Sequence, residues 1–172
     1  MLTLTTPTRA DSVESLAASL MRMTSTETWT PARYRGAKGK RRALEDAVMI
    51  RREATAAGID EGLLAGVLAH ESGMNPSAKG AAGERGLGQV FPSDWRHPVT
   101  GRGAAFSCDA TGEAILKSPV RGVRCCAREL AYWSEQCRGD RACVLSGHSS
   151  GKRDSLAGAK YAKRVLERLA KR

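Results

Sequence analysis

Glu71 ends the run Leu64-Ala-Gly-Val67-Leu68-Ala-His-Glu71, and it is the residue whose surroundings best suit acid–base chemistry. Leu64, Val67, Leu68 and Glu71 fall at i, i+3, i+4 and i+7 and so share one face of a helix. Three are apolar and should face a core, and Gly73 with Asn75-Pro76 stops the helix just after the carboxylate. A carboxyl group at the rim of a core loses part of its hydration. That raises its pKa and keeps its proton near neutral pH, as a general acid requires. Glu84 and Asp94 are nearby in sequence, but no second carboxylate stands out as its partner. The cysteine spacing offers no CxxC pair and the histidines are scattered, so neither a metal site nor a cofactor is expected.

The segment after Glu71 adds a second motif. Glu71-Ser72-Gly73-Met74-Asn75-Pro76, followed by Gly86-Leu87-Gly88-Gln89 and Pro92, resembles the signature of the lysozyme-like lytic transglycosylases. Those enzymes carry Glu-Ser, then Asn-Pro, then Gly-Leu-x-Gln ending near a proline. The resemblance covers roughly residues 58–166. It implies an all-α, lysozyme-like domain with a glycan-binding cleft, acting on peptidoglycan strands. Glu71 would be the catalytic acid, and Ser72, Gly86, Leu87 and Gln89 would line the substrate. Where the family has Ala-Tyr-Asn-x-Gly, alignment on Gly151 puts His148 at the Tyr and Ser149 at the Asn. Both are then expected at the far side of the cleft, with His148 mattering less than Gln89 because its loop departs from the pattern. Tyr161 stands where the family has a tyrosine near the acid; core packing would explain it equally.

The same resemblance implies a single-carboxylate reaction. Glu71 protonates the oxygen between N-acetylmuramic acid and N-acetylglucosamine, then takes the proton of the muramic acid primary hydroxyl as a 1,6-anhydro ring closes. A goose-type hydrolase would leave a reducing end and needs a second carboxylate across the sugar. A non-catalytic wall-binding or particle-assembly module is the reading from another class, favoured by the altered His148-Ser149 segment.

The elements that must hold these residues follow from periodicity. Asp11–Met23 is predicted as a short amphipathic helix with Val13, Leu16, Ala17 and Leu20 on one stripe, begun by a capping-box-like Asp11 and Glu14. Its apolar face would either pack on the domain or dock to a phage structural protein or a secretion machine. A polar linker leads into the basic run Arg33–Arg42, read as solvated charge. Residues 1–42 are therefore assigned to an N-terminal extension and 43–172 to the domain. Helices are expected over Ala43–Ala57, with Leu44, Ala47, Val48 and Arg51 tracing one face, then from Asp60 to Glu71, from Ser118 to Cys137, and from Ala159 to Leu169. Residues 93–117 should be irregular with room for one short helix, and Trp95 either stacks on a sugar or fills the core. The glycines of 80–88 are expected to let backbone approach a bound sugar.

The formal charge of +10 in 172 residues points to an acidic partner: nucleic acid, an anionic membrane or the cell wall. With Tyr34 alone among the basic residues of 33–42, specific nucleic-acid binding is not expected. There is no apolar run long enough to span a membrane. Met1–Met23 lacks the parts of a Sec leader, so delivery within a phage particle, through a holin or by a secretion machine is expected, a mature form with its leader already removed being the alternative. Five cysteines are present. Cys137 and Cys143 flank a short polar loop that a disulfide could close, and Cys108 could reach Cys125 or Cys126; otherwise all five are thiols.

Overall fold

The computed structural model describes residues 12–25, 33–99, 104 and 106–170. Over these the chain is all-α, with seven helices: α1 (Val13–Thr24), α2 (Gly36–Ala57), α3 (Glu61–Ser72), α4 (Gly112–Lys117), α5 (Pro119–Gln136), α6 (Arg141–Ser150) and α7 (Leu156–Leu169). Helix α3 runs through the middle, in contact with α1, α2, α5 and α7. Asp60 starts it by accepting a hydrogen bond from the Leu63 N–H at 2.6 Å, and Gly73 ends it at φ 55°. The single apolar stripe expected of this helix is too narrow a description. Every residue from Gly62 to Ala69 is buried, because Ala65, Gly66 and Ala69 let neighbours close on the faces the leucines leave. A helix apolar all round belongs in a core. Cutting fully buried Leu68 back to alanine would cost about 2–5 kcal/mol.

Helix α1 lies on α2 and α3, with Leu16 and Leu20 fully buried. Ser12 caps it, accepting from the Ser15 N–H at 3.1 Å; Asp11, expected to begin it, lies outside the described residues. Its C-terminal end is tied to α7 by Arg168, which donates to the Met23 carbonyl at 2.7 Å. The apolar face that a docking partner would need is thus covered by the chain itself.

Two readings of α2 need correction. The helix begins at Gly36, so most of the basic run is helical rather than a loose linker. Arg33 and Tyr34 fix its start: the guanidinium pairs with Asp46 at 2.8 Å and the phenol donates to the same carboxylate at 2.6 Å. Lys38, Lys40, Arg41 and Arg42 remain exposed. The buried face is also turned by one residue, to Ala43, Ala47, Ile50 and Ala54, while Leu44 and Val48 face outward. Charge pairs then lock α2 to its neighbours, Arg51 with Glu61 of α3 at 2.7 Å and Arg124 of α5 with Glu53 at 2.9 Å.

Disulfides join Cys108 to Cys125 and Cys137 to Cys143, leaving Cys126 as a buried thiol. The first anchors the segment before α4 to α5; the second clips the end of α5 to the start of α6. Closing a loop of the Cys108–Cys125 size stabilises a fold by about 3 kcal/mol. Reduction should therefore lower the melting temperature, and peptide mapping without reductant should find Cys126 alone alkylated after denaturation. Free thiol at Cys137 and Cys143 would contradict the clip.

Candidate active site

Glu71 emerges at the last turn of α3 into a cleft of about 390 Å³. Gly80, Ala81, Ala82, Glu84, Gln89 and Phe91 form one wall; His148, Ser149 and Tyr161 form the other. The first wall is a loop held by its own backbone. Arg85 and Val90 exchange hydrogen bonds at 3.0 and 3.2 Å, and Trp95 donates its indole N–H to the Ala82 carbonyl at 2.6 Å. The Trp95 ring lies 4.1 Å, centroid to centroid, from Phe91. Trp95 thus braces the wall from outside the cleft lining and outside the main core.

Several residues expected at the substrate support the site instead. Ser72 is fully buried and donates to the Leu68 carbonyl at 3.2 Å, the ordinary back-bond of a helical serine. Leu87 is fully buried and Gly86 is buried beside it. The need for glycine at 88 comes from α5, since a Cβ there would stand 2.5 Å from that of Cys126. Gln89 does line the cleft. Its backbone takes a left-handed turn at φ 46°, and its amide donates to the Gly86 carbonyl at 2.9 Å, which holds the side chain against its own wall of the cleft.

The opposite wall depends on a close helix crossing. A Cβ at Gly147 would stand 2.2 Å from the Trp133 ring, so glycine lets α6 settle against α5. That contact lowers His148 into the interior, where its side chain is 3% exposed. Nε2 lies 3.5 Å from Glu71 Oε1, and Nδ1 lies 3.1 Å from Oε2 of Glu129. The second contact is an ion-pair distance whose N–H points off the line to the oxygen. Tyr161, reaching in from α7, donates its hydroxyl to the same Oε1 of Glu71. Exposed Ser149 sits at the rim, donating to the Ser146 carbonyl at 3.3 Å.

These neighbours overturn the expected protonation of Glu71. Burial pushes its pKa up, but hydrogen bonding and charge from His148, with the Tyr161 hydroxyl, hold it below the usual carboxylate range. Burial would likewise strip the proton from His148, yet Glu129 and Glu71 together push its pKa up to about 10. Tyr161 stays a neutral donor, its pKa raised by burial and by the Glu71 charge. The resting site is a carboxylate, an imidazolium and a second carboxylate in a row. Glu129 was missed from sequence because a glutamate within an amphipathic helix reads as surface; here the residue is 7% exposed. Its one signal was position: three residues after Cys126 and four before Trp133, both on the buried face.

Residues 48–169 match the family described as Transglycosylase SLT domain. The chain belongs to that family. No curated protein matches it. The match begins inside α2 and ends with α7, so it takes in Glu71, both walls of the cleft and Glu129. Within the SLT family the activity is lytic transglycosylation and the substrate class is peptidoglycan. No helix of the described residues is long and apolar enough to cross a membrane.

Proposed function

We propose that the protein is a peptidoglycan lytic transglycosylase that cleaves the β-1,4 bond between N-acetylmuramic acid and N-acetylglucosamine, with Glu71 as its catalytic residue. The observation that carries this reading is the setting of Glu71: a carboxylate at the floor of an open cleft, with the Tyr161 hydroxyl and the His148 imidazole on one oxygen. A glycan seated over the cleft removes the remaining water from Glu71 and raises its affinity for a proton. Glu71 gives that proton to the glycosidic oxygen as the bond breaks. The substrate's acetamido group stabilises charge at the anomeric carbon, and Glu71 then accepts the proton of the primary hydroxyl that closes the 1,6-anhydro ring. One carboxyl group serves as acid and then as base.

Gln89 and Ser149 supply hydrogen bonds at opposite edges of the opening, with His148 set deeper. Gln89→Ala should cut turnover by about one to two orders of magnitude, or roughly 1.4–2.7 kcal/mol of barrier, because a misplaced sugar seldom reaches attack geometry. The product should be unchanged. Loss as complete as that from altering Glu71 would show that Gln89 does more than position the sugar.

A goose-type hydrolase is the second reading, favoured by Glu84, which lines the same cleft as Glu71. Against it, Glu84 is engaged in its own loop, accepting from the Ala82 N–H at 3.1 Å. Digestion of purified murein separates the two. Anhydromuramic ends by mass spectrometry support the transglycosylase, whereas reducing ends together with inactivity of Glu84→Gln support the hydrolase. The N-terminal extension is divided from the domain at residues 42 and 43, within α2.

A further inference from the structure

The resting protonation of the site poses a problem for the acid chemistry just given, since Glu71 is held as a carboxylate before substrate arrives. We propose that Glu129 is a positioning residue that keeps His148 as the proton store for Glu71, so that the acid proton enters Glu71 from His148 Nε2. The inference rests on Glu71 being the acid. It is carried by geometry: a buried imidazole on α6 between two carboxylates, Glu71 at 3.5 Å from Nε2 and Glu129 at 3.1 Å from Nδ1.

Titratable groups face this imidazole from each of the neighbouring elements. Helix α3 brings Glu71 and His70, α5 brings Glu129 and the Cys126 thiol, α7 brings Tyr161, and the loop across the cleft brings Glu84. The thiol is held protonated by burial and by the Glu129 charge, and Tyr161 is held as a phenol. Despite the surplus of basic residues in the chain, no Lys or Arg lines the cleft among the described residues. His148 is the one lining residue there with a cationic form.

The step balances. A carboxylate beside Nδ1 favours the tautomer with hydrogen on Nδ1, so the proton that leaves the imidazolium is the one on Nε2. It passes to Oε1 of Glu71 as the glycan excludes water, leaving a neutral imidazole facing Glu129. Glu71 gives it to the glycosidic oxygen, which departs with the electron pair of the broken C–O bond. The primary hydroxyl oxygen bonds to the anomeric carbon, its proton goes to Oε1, and from there it returns to Nε2. The Nε2–Oε1 contact of 3.5 Å has to tighten on binding, as such contacts do when a substrate complex forms.

The test is ring-nitrogen NMR of His148 in the full chain, with the pH dependence of kcat on purified glycan strands. His148 should remain an imidazolium through pH 9. In Glu129→Gln it should lose its proton at least one pH unit lower, a tenfold or larger rise in its acid dissociation constant. The alkaline limb of kcat should move down by the same amount, with KM little changed. Glu129→Asp keeps the charge and should lie between the two, and it carries the test if the Gln variant does not fold. A neutral His148 at pH 7 in the unaltered protein would overturn the proposal, as would a Glu129 variant that leaves both the imidazole titration and the alkaline limb in place. Because the NMR titration needs no substrate, it stands even if the protein proves not to cleave murein, so failure here is distinct from failure of the proposed activity.

Discussion

Glu71→Gln should stop murein solubilisation, with turnover falling by about 10³-fold or more, ~4 kcal/mol of barrier. The amide can neither give up nor recover a proton, and no other lining residue is placed to do both. The fold should survive. Glutamine matches the carboxyl in size, and its carbonyl oxygen can still accept from Tyr161, the partner seen on Oε1. What goes is one negative charge opposite His148, which keeps Glu129 at 3.1 Å. A loss of about 1 kcal/mol, or roughly 2–4 °C in melting temperature, is the expected stability change for a chain of this size. Release of soluble muropeptides at an undiminished rate would remove Glu71 from the mechanism. A melting temperature lowered far beyond this range would mean that the residue is chiefly structural.

His148→Ala is expected to have the larger effect on stability. The imidazole is a buried cation shared by two carboxylates. Without it, Glu71 and Glu129 face each other across a cavity with no counter-charge. Breaking one side of a buried ion pair costs about 3–5 kcal/mol, or about 10 °C in melting temperature for this length. The pH dependence gives the sign. The pKa of His148 is raised in the folded chain from 6.5 to about 10. Its contribution is therefore fully present below pH 6.5 and is lost as pH rises through about 10. The melting-temperature gap between the unaltered protein and the variant should be widest near pH 6.5 and should narrow toward pH 10. A gap of a degree or two at neutral pH, unchanged by alkali, would show that the imidazole is not holding charge.

Both expectations turn on how differently the two ends of the triad show in sequence. Glu71 was legible because its helix, its stop signals and the Gly86–Gln89 motif are local, and the caps at Asp60 and Gly73 appear where short-range rules put them. The α5 face of Val123, Cys126, Leu130 and Trp133, spaced to share one side of a helix, was legible for the same reason and is buried. The pKa of Glu71 was not, because the groups that reverse it come from α6 and α7, remote in sequence. The register of α2 was misread because Leu44 and Val48 look like core and alanines do not. A helix packed closely enough to bury Ala43, Ala47 and Ala54 leaves its larger residues outside. Helix α6 was not expected at all. Ser146-Gly147-His148-Ser149-Ser150 has weak helix propensity, and what makes it helical is the Asp140 cap and the fit of Gly147 to Trp133.

The neighbouring cysteines of α5 have a consequence for the order of events during folding. Cys125 is bridged to Cys108 while Cys126 lies in the core against Gly88. Successive residues point about 100° apart around a helix. A bridge from Cys108 to Cys126 would therefore need α5 rotated by that angle, carrying Glu129 away from His148 and Trp133 away from Gly147. Choosing between two adjacent sulfurs is thus also choosing the azimuth of the helix, and with it whether a cleft exists. A chain that oxidises before α5 docks can lock the wrong choice. A chain that docks first hides Cys126 from solvent and, by burial and the Glu129 charge, pushes its thiol well above the ordinary range. It then exchanges poorly as a nucleophile. Packing ahead of oxidation makes the productive pairing the one within easy reach.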